Sequence, residues 1–422
     1  MGNLYIIGAG PAGLMAAIHA ALERASVTLL ETNPTAGRKL LLTGGGRCNF
    51  THLGNPEEIA KAFGTSPAAK GVVRAERFLR HSLHGFSPDN VRAFFRSRGL
   101  PDRVELDGCV FPACDRAVEV RDLLVAEATR LGARIQYQTR VTQILVCEGG
   151  FMVHTENHEI RHASQVILAT GGLSYPQTGS TGEGYRFARE LGHTVVAPKA
   201  ALVPLVTCEK WVNELAGVAL ADVKIRTNLD HHALVVAGNM LFTQRGIGGP
   251  AAQNLSRFLA DALLENPQGI PIAIDLLPAL DEIQTDRLLQ KQLQAQAKRT
   301  VANVLSEFVP RQLSQALCRL TSCKHDMQAG QLPSDKRRQL MQIIKRLPLT
   351  VTGVEPIAKA TVTRGGVSLA QVDPRTMESK ILRGVFFAGE VLDLDGPCGG
   401  YNLQMCWSTG ALAGRSAARC RE

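Results

Sequence analysis

Apolar runs, glycine turns and helical spacing follow one another at both ends of the chain. "LYIIGAGPAGLMAAIHAALERASVTLLE" places an apolar run at Leu4–Ile7, an alanine-rich stretch with helical spacing at Gly13–Leu22, and a second apolar run at Val27–Leu30 that ends at Glu31. The pattern predicts strand, glycine turn, helix and strand, a single βαβ unit. "RDLLVAEATRLGARIQYQTRVTQILV" predicts a helix over Val118–Leu131, capped by Gly132 and followed by two strands. "QVILATGG" predicts a buried strand ending in glycines, and "TGEGYRFARELGHTV" a helix closed by Gly192.

The pattern changes at Ala197. From there to Pro278, short apolar runs alternate with turn residues, as in a small β-rich domain. Asp281–Arg346 is rich in Gln, Leu and Arg and poor in glycine, which predicts helices. Glycine returns after Gly353, and "LRGVFFAGEVLDLDGPCGGYNLQMCWSTGALAGRSAA" again predicts strand, glycine loop and helix. The expected class is α/β. A Rossmann-like nucleotide-binding domain, residues 1–196 and 354–422, is interrupted by a β-barrel-like insertion, 197–280 with 347–353, and by a helical domain, 281–346.

Composition narrows the function. The 422 residues are 45% apolar and 20% charged, as in soluble globular proteins of more than one domain. Their longest apolar run is too short for a membrane span. "MGNLYIIGAG" enters a strand without a basic segment or cleavage site, so a cytoplasmic protein is expected. The ten cysteines form no CxxC and complete no zinc spacing with histidine, so reduced thiols and no metal are expected.

Gly8-Ala9-Gly10-Pro11-Ala12-Gly13 fits G-x-G-x-x-G between a strand and a helix. Gly8 permits the turn, Gly10 lets a pyrophosphate approach the backbone, and Gly13 lets the helix pack on the strand. Glu31 ends the second strand, where a carboxylate accepts hydrogen bonds from a ribose 2′-hydroxyl and disfavours a 2′-phosphate. "VILATGG", with Thr170 and Gly171, and "FFAGEVLD", with Gly389 and Glu390, add two more strand-to-glycine turns. Flavoproteins of the glutathione-reductase type combine these features, which points to FAD. "GRKLLLTGGGRCNFTH", Gly37–His52, holds four glycines, three cations and no acid. Gly44, Gly45 and Gly46 would present backbone N–H groups to an acceptor, with Arg38, Lys39 and Arg47 as counter-charge.

These segments, with "LATGGLSYPQTGSTGEGY", "LFTQRGIGGPAAQNLSR" and the block from "TRGGVSLAQ" to "GPCGGYNLQ", resemble the bacterial FAD-dependent BaiN/RdsA-like flavoproteins, also called the HI0933-like family. The resemblance spans the first strand to the last helix and implies an FAD domain interrupted by a barrel and a helical part. It implies FAD contacts at Gly8, Gly10, Ala12, Gly13, Glu31, Arg38, Lys39, Gly45, Arg47, Asn49, Thr170, Gly171, Gly389, Glu390, Gly400, Asn402 and Leu403, and adenine against the backbone of Val141. Cys398 departs from the Thr usual at its position, and "QMCWSTG" from a bulkier aromatic stretch.

The resemblance implies an oxidoreductase relaying hydride through FAD in one of several reactions: reduction of uracil in ribosomal RNA to dihydrouridine, reduction of an unsaturated steroid, or oxidation of a small amine. Arg287–Arg346 favours RNA, with twelve Lys/Arg against three acids, a net +9 equal to the whole chain's excess. Arg74, Arg77, Arg80, His81 and His84 add to it. Hydride would go to C6 of an unstacked uracil and a proton to C5. A flavin-bearing RNA-binding factor without turnover is a further alternative. Cys48 is a candidate proton donor, because Arg47 and glycine N–H groups lower a thiol pKa, with a packing role as the alternative. Tyr175 is a candidate acid or stacking platform; Tyr401 and Asn402 would orient substrate or flavin. Cys109/Cys114 and Cys318/Cys323 read as packing or surface thiols, not a redox pair. No second complete fingerprint exists for a nicotinamide, so NADH or NADPH would dock transiently.

Overall fold

The computed structural model describes residues 3–64, 74–229 and 232–420. The chain divides into two compact units, 1–200 with 360–422, and 201–359.

The first unit is built on a five-stranded parallel sheet, ordered Val385–Phe387, Gln165–Leu168, Asn3–Ile7, Ser26–Leu30 and Arg134–Gln136. Ile6 sits between Leu29 and Ile167, and Ile167 beside Phe386. All four are fully buried, as in a sheet covered on both faces. Three short antiparallel strands, Val141–Cys147, Gly150–Thr155 and Ile160–Ala163, form a separate sheet. Another joins Thr51–His52, Cys109–Pro112 and Asp102–Val104.

The helix Pro11–Leu22 packs on the C-terminal helix Tyr401–Arg419 at backbone distance. A Cβ at Gly410 would lie 2.4 Å from the Ala12 carbonyl oxygen, and one at Gly414 2.2 Å from that of Ala16. Trp407, fully buried, donates to the Phe50 carbonyl oxygen at 2.7 Å and ties the same helix to the stretch before Thr51.

In the second unit a closed six-stranded barrel runs in the order Leu205–Thr207, Gly246–Gly248, His232–Thr243, Ala219–Leu229, Ile270–Asp275 and Leu347–Val354. The helices Glu282–Ala295, Arg311–Leu320 and Ser334–Lys345 share its core: Leu289, Leu317 and Ile344 join Ile272 and Leu349 in one buried cluster. Barrel and helices therefore form one compact unit. The alternating pattern read over 197–278 contains a helix, Gly249–Glu265. Pro250 occupies its first turn, where its missing N–H costs nothing. Among the described residues no helix is long and apolar enough to cross a membrane.

His19, on the first helix, stands edge-on to Phe86 at 5.1 Å, and its Nε2 has no hydrogen-bond partner. Burial, reinforced by Arg415 and Arg98, pushes its pKa down to about 3. The unfolded chain thus takes up this proton first. Stability from this group is complete above about pH 6.5 and is lost as pH falls toward about 3. The urea midpoint is expected to drop between about pH 8 and about pH 5, and to drop less in H19L. G414A is expected to lose about 1–3 kcal/mol in denaturant unfolding, because its methyl meets backbone that cannot move aside.

Candidate functional site

The three glycines of the first turn do different work. A Cβ at Gly13 would lie 1.9 Å from the Gly8 carbonyl oxygen, and one at Gly8 2.7 Å from the Ala169 carbonyl oxygen. Both are required by the protein's own packing, and Gly8 also needs its φ of +99°. A Cβ at Gly10 would meet nothing within 4 Å. That side of the turn is open, at the start of a helix whose first N–H groups no side chain caps. An anion suits such a position.

Glu31 is buried beneath the turn. Its Oε2 accepts from the Ala9 N–H at 2.9 Å, and its Oε1 from the Asn33 N–H and Nδ2 at 2.8 and 2.7 Å. Oε2, with one donor, retains acceptor capacity. Thr139 N–H donates to the Glu31 carbonyl at 2.9 Å, which draws the chain leading to Val141 alongside.

A polar cluster closes the other side. Lys39 Nζ donates to Ser174 Oγ at 2.6 Å and pairs with Glu390 Oε2 at 2.7 Å. Glu390 Oε1 accepts from Ser174 Oγ and from the Thr363 N–H, both at 2.9 Å. A Cβ at Gly389 would come within 2.7 Å of the Ala12 Cβ. The amino-terminal turn and the carboxy-terminal loop thus meet at the ends of the two parallel strands that flank Gln165–Leu168, where open α/β sheets bind ligands. The Thr170 and Gly171 turn joins them there, directly after the strand Gln165–Leu168.

The glycine-rich stretch lies in the same unit. Leu40–Gly46 is a short helical turn broken at Thr43, Gly44 and Gly45. A Cβ at Gly45 would meet nothing within 4 Å, so this backbone is also open. Gly400, at φ +93°, leaves room for the Thr51 carbonyl and for Asn49 Oδ1, which a Cβ would approach to 2.2 and 2.8 Å. Asn402 Nδ2 donates to the Gly396 and Pro397 carbonyls, and its Oδ1 accepts from Gly396 N–H. It shapes the loop before the helix, while Leu403 beside it is buried.

Two buried polar atoms here, Asn49 Oδ1 and Thr170 Oγ1, have no partner among the described residues. Buried polar atoms are normally satisfied. With the open backbone at Gly10 and Gly45, they fit a ligand that carries phosphates, hydroxyls and ring N–H groups, as FAD does.

Several expected roles change. Arg47 pairs with Glu105 at 2.8 Å and lies over the Phe111 ring at 4.0 Å. Arg38 is exposed and donates to Asn33 Oδ1 at 2.7 Å. Lys39 pairs with Glu390, so of the three cations in this stretch Arg38 alone has no acidic partner among the described residues. Cys48 is fully buried, and burial pushes its pKa up to about 12, the opposite of an activated thiol. Its side chain faces the core, so it is no proton donor. Tyr175 is half-buried at φ +52° beside Ser174. Sequence reasoning gave no role to Ser174 and Thr363, although both lie in quoted segments, because their partners lie far away in the chain.

The basic segment is also less free than it reads. Arg299, Arg319, Arg337, Lys345 and Arg346 pair with Glu307, Glu214, Asp286, Asp275 and Glu282. Four of these acids lie outside the counted window. Over residues 201–359, eighteen Lys/Arg face fourteen Asp/Glu, a net +4. Arg287, Lys291, Lys298, Arg311, Lys324 and Arg338 have no ion-pair partner among the described residues.

The glycines give a direct check. G10A is expected to leave the unfolding midpoint of the FAD-free protein within about 0.5 kcal/mol, yet to weaken FAD binding at least about tenfold in a fluorescence titration. G13A is expected to destabilise the FAD-free protein by about 1–3 kcal/mol or more.

Comparison with known proteins agrees with this geometry. The family described as HI0933-like protein Rossmann domain matches residues 3–416. A 3-dehydro-bile acid delta(4,6)-reductase of Clostridium scindens is 33% identical over 421 residues, covering 99% of each chain. The ribosomal RNA dihydrouridine synthase of Escherichia coli is 30% identical over 410 residues, covering 96% of each, and that of Haemophilus influenzae 30% identical over 420 residues, covering 98% of each. The solved 3-ketosteroid-delta4-(5alpha)-dehydrogenase of Rhodococcus jostii has a TM-score of 0.51 at 17% identity, covering 99% of this chain and 97% of its own, a likeness of fold. A Rossmann-type FAD fold joined to a small barrel, with full-length relatives at this identity, makes the chain a member of the HI0933-like family of FAD-dependent oxidoreductases.

Proposed function

We propose that this protein is an FAD-dependent reductase of a ring carbon–carbon double bond conjugated to a carbonyl, with uracil in ribosomal RNA as its substrate and NADH or NADPH as transient electron donor. The observation that carries this reading is the chemistry shared by the full-length relatives. A dihydrouridine synthase and a delta(4,6)-reductase each reduce such a bond. Bound FAD would supply hydride transfer. The turn at Gly8–Gly13, with Glu31, would hold its dinucleotide end. Asn49, Thr170 and the Lys39–Glu390 pair would hold the remainder, and the fully paired Glu390 would keep the Lys39 ammonium fixed in the site.

RNA is favoured by two relatives and by the cations of the helical segment that have no ion-pair partner among the described residues. A small conjugated ketone is the second reading, favoured by the relative at 33% identity and by the ion pairs that neutralise five of that segment's twelve cations. Gene deletion followed by mass mapping of ribosomal RNA separates them. Loss of dihydrouridine at a specific position supports RNA, and an unchanged map removes it. Charge reversal of Arg287, Lys291 and Lys298 to Glu is expected to weaken RNA binding and to reduce the salt slope by about 0.7–0.9 for each phosphate left without its cation. Equal binding by this variant would return the segment to a solvated helical face.

A further inference from the structure

We propose that Tyr401 is the catalytic acid of this reduction, delivering its phenolic proton to the substrate carbon next to the carbonyl. The inference rests on the reading of the reaction given above and holds for either substrate.

Tyr401 opens the C-terminal helix directly after Gly400, within the loop that faces Asn49 and Thr51. Its ring is held on several sides. It stacks on His52 at 4.7 Å and 27°, and the Phe63 ring meets it edge-on at 6.5 Å. Cβ atoms at Gly396 and Gly399 would lie 3.0 and 3.5 Å from its Cβ and Cε2, so both glycines make room for it. His52 is itself fixed by the Leu53 and Asp107 carbonyls at 2.6 and 2.9 Å. Yet the phenolic oxygen has no hydrogen-bond partner among the described residues. A ring this constrained and half-buried, with an idle hydroxyl and one residue after Gly400 beside the unpartnered Asn49 Oδ1, is placed to act on a ligand.

Its surroundings keep the proton on it. The groups facing it are His52, Cys109 on the neighbouring strand, Asp107 in the turn before that strand, and Glu58 on the helix Pro56–Lys61. Burial first, then the nearby acidic groups, including the carboxylates of Glu58 and Asp107, raise its pKa above the ordinary phenol value. The nearby alternatives are poorer. Cys48 is sealed in the core, and the Cys109 thiol, pushed up to about 12 by burial, is engaged by Asn49.

The step balances. Hydride from the two-electron-reduced flavin forms a C–H bond at the distal carbon, and the π pair moves onto the carbonyl oxygen as an enolate. The Tyr401 O–H bond breaks, its proton forms a C–H bond at the carbon next to the carbonyl, and water reprotonates the phenolate. The flavin is oxidised by two electrons and the double bond is reduced.

The test compares FAD-loaded wild type, Y401F and Y175F on two probes, a ribosomal RNA fragment and a conjugated steroid ketone, across pH. Y401F is expected to convert the active probe about 10²–10⁴-fold more slowly, with FAD affinity within about twofold of wild type. Wild-type rate is expected to be flat at neutral pH and to fall as pH rises through the raised phenol pKa, and Y401F to lack that fall. Ultraviolet difference titration of the FAD-free proteins is expected to show one high-pH tyrosine transition missing in Y401F. Y175F is expected to stay within about threefold of wild type. A Y401F rate within about threefold of wild type, a persisting alkaline fall, or loss confined to Y175F would overturn the role while leaving the reaction intact. Wild type inactive on both probes would overturn the reaction and the role together.

Discussion

The backbone of the last helix lies against the backbone of the first, and the site exists because it does. Gly410 and Gly414 bring the C-terminal helix to within van der Waals reach of the Ala12 and Ala16 carbonyls. Any larger residue there would hold the helices apart. That approach sets Gly389 on Ala12 and carries Glu390 to Lys39, more than three hundred residues earlier in the chain. The parallel strands Asn3–Ile7, Gln165–Leu168 and Val385–Phe387 then end side by side, and their glycine turns form one crevice.

Within that crevice the chemistry is mostly that of the backbone. Two of the side-chain charges are answered locally, Arg47 by Glu105 and Lys39 by Glu390, while Arg38 is held by the neutral Asn33 amide. What remains available are helix-start N–H groups at the first turn, open backbone at Gly45, and the buried, unpartnered oxygens of Asn49 and Thr170. A site of this kind recognises a ligand by shape and hydrogen bonding, with the helix terminus supplying the positive end for phosphates. The ion pairs around it hold the loops in place.

Much of the first unit was legible in the chain because its signals are local. Strand, turn and helix at residues 4–22 follow from apolar periodicity and from glycines whose positions the turn dictates. The helix read over Val118–Leu131 lies at Ala117–Arg130, with Gly132 just beyond it at φ +91°. Signals failed where a residue's role depends on a distant partner. Cys48 follows a cation and three glycines, which suggests an activated thiol, but the fold turns its side chain inward. The run of cations after Arg287 looks concentrated until Glu214, Asp275, Glu282 and Asp286 come back to meet it. Gly249–Glu265 hid behind a glycine–proline start that serves a turn and a helix equally well.

The sequence by itself determined the nucleotide-binding unit at the two ends, its glycine turns, the carboxylate at Glu31 and the family to which these motifs point. Each depends on residues within one strand–turn–helix unit, where steric limits on the backbone leave few options. Tertiary structure alone decided which charges are spent on one another, which thiol is buried, and which aromatic ring stands with its hydroxyl free. Burial and pairing are properties of the space around a side chain, and that space is filled by residues from elsewhere in the chain.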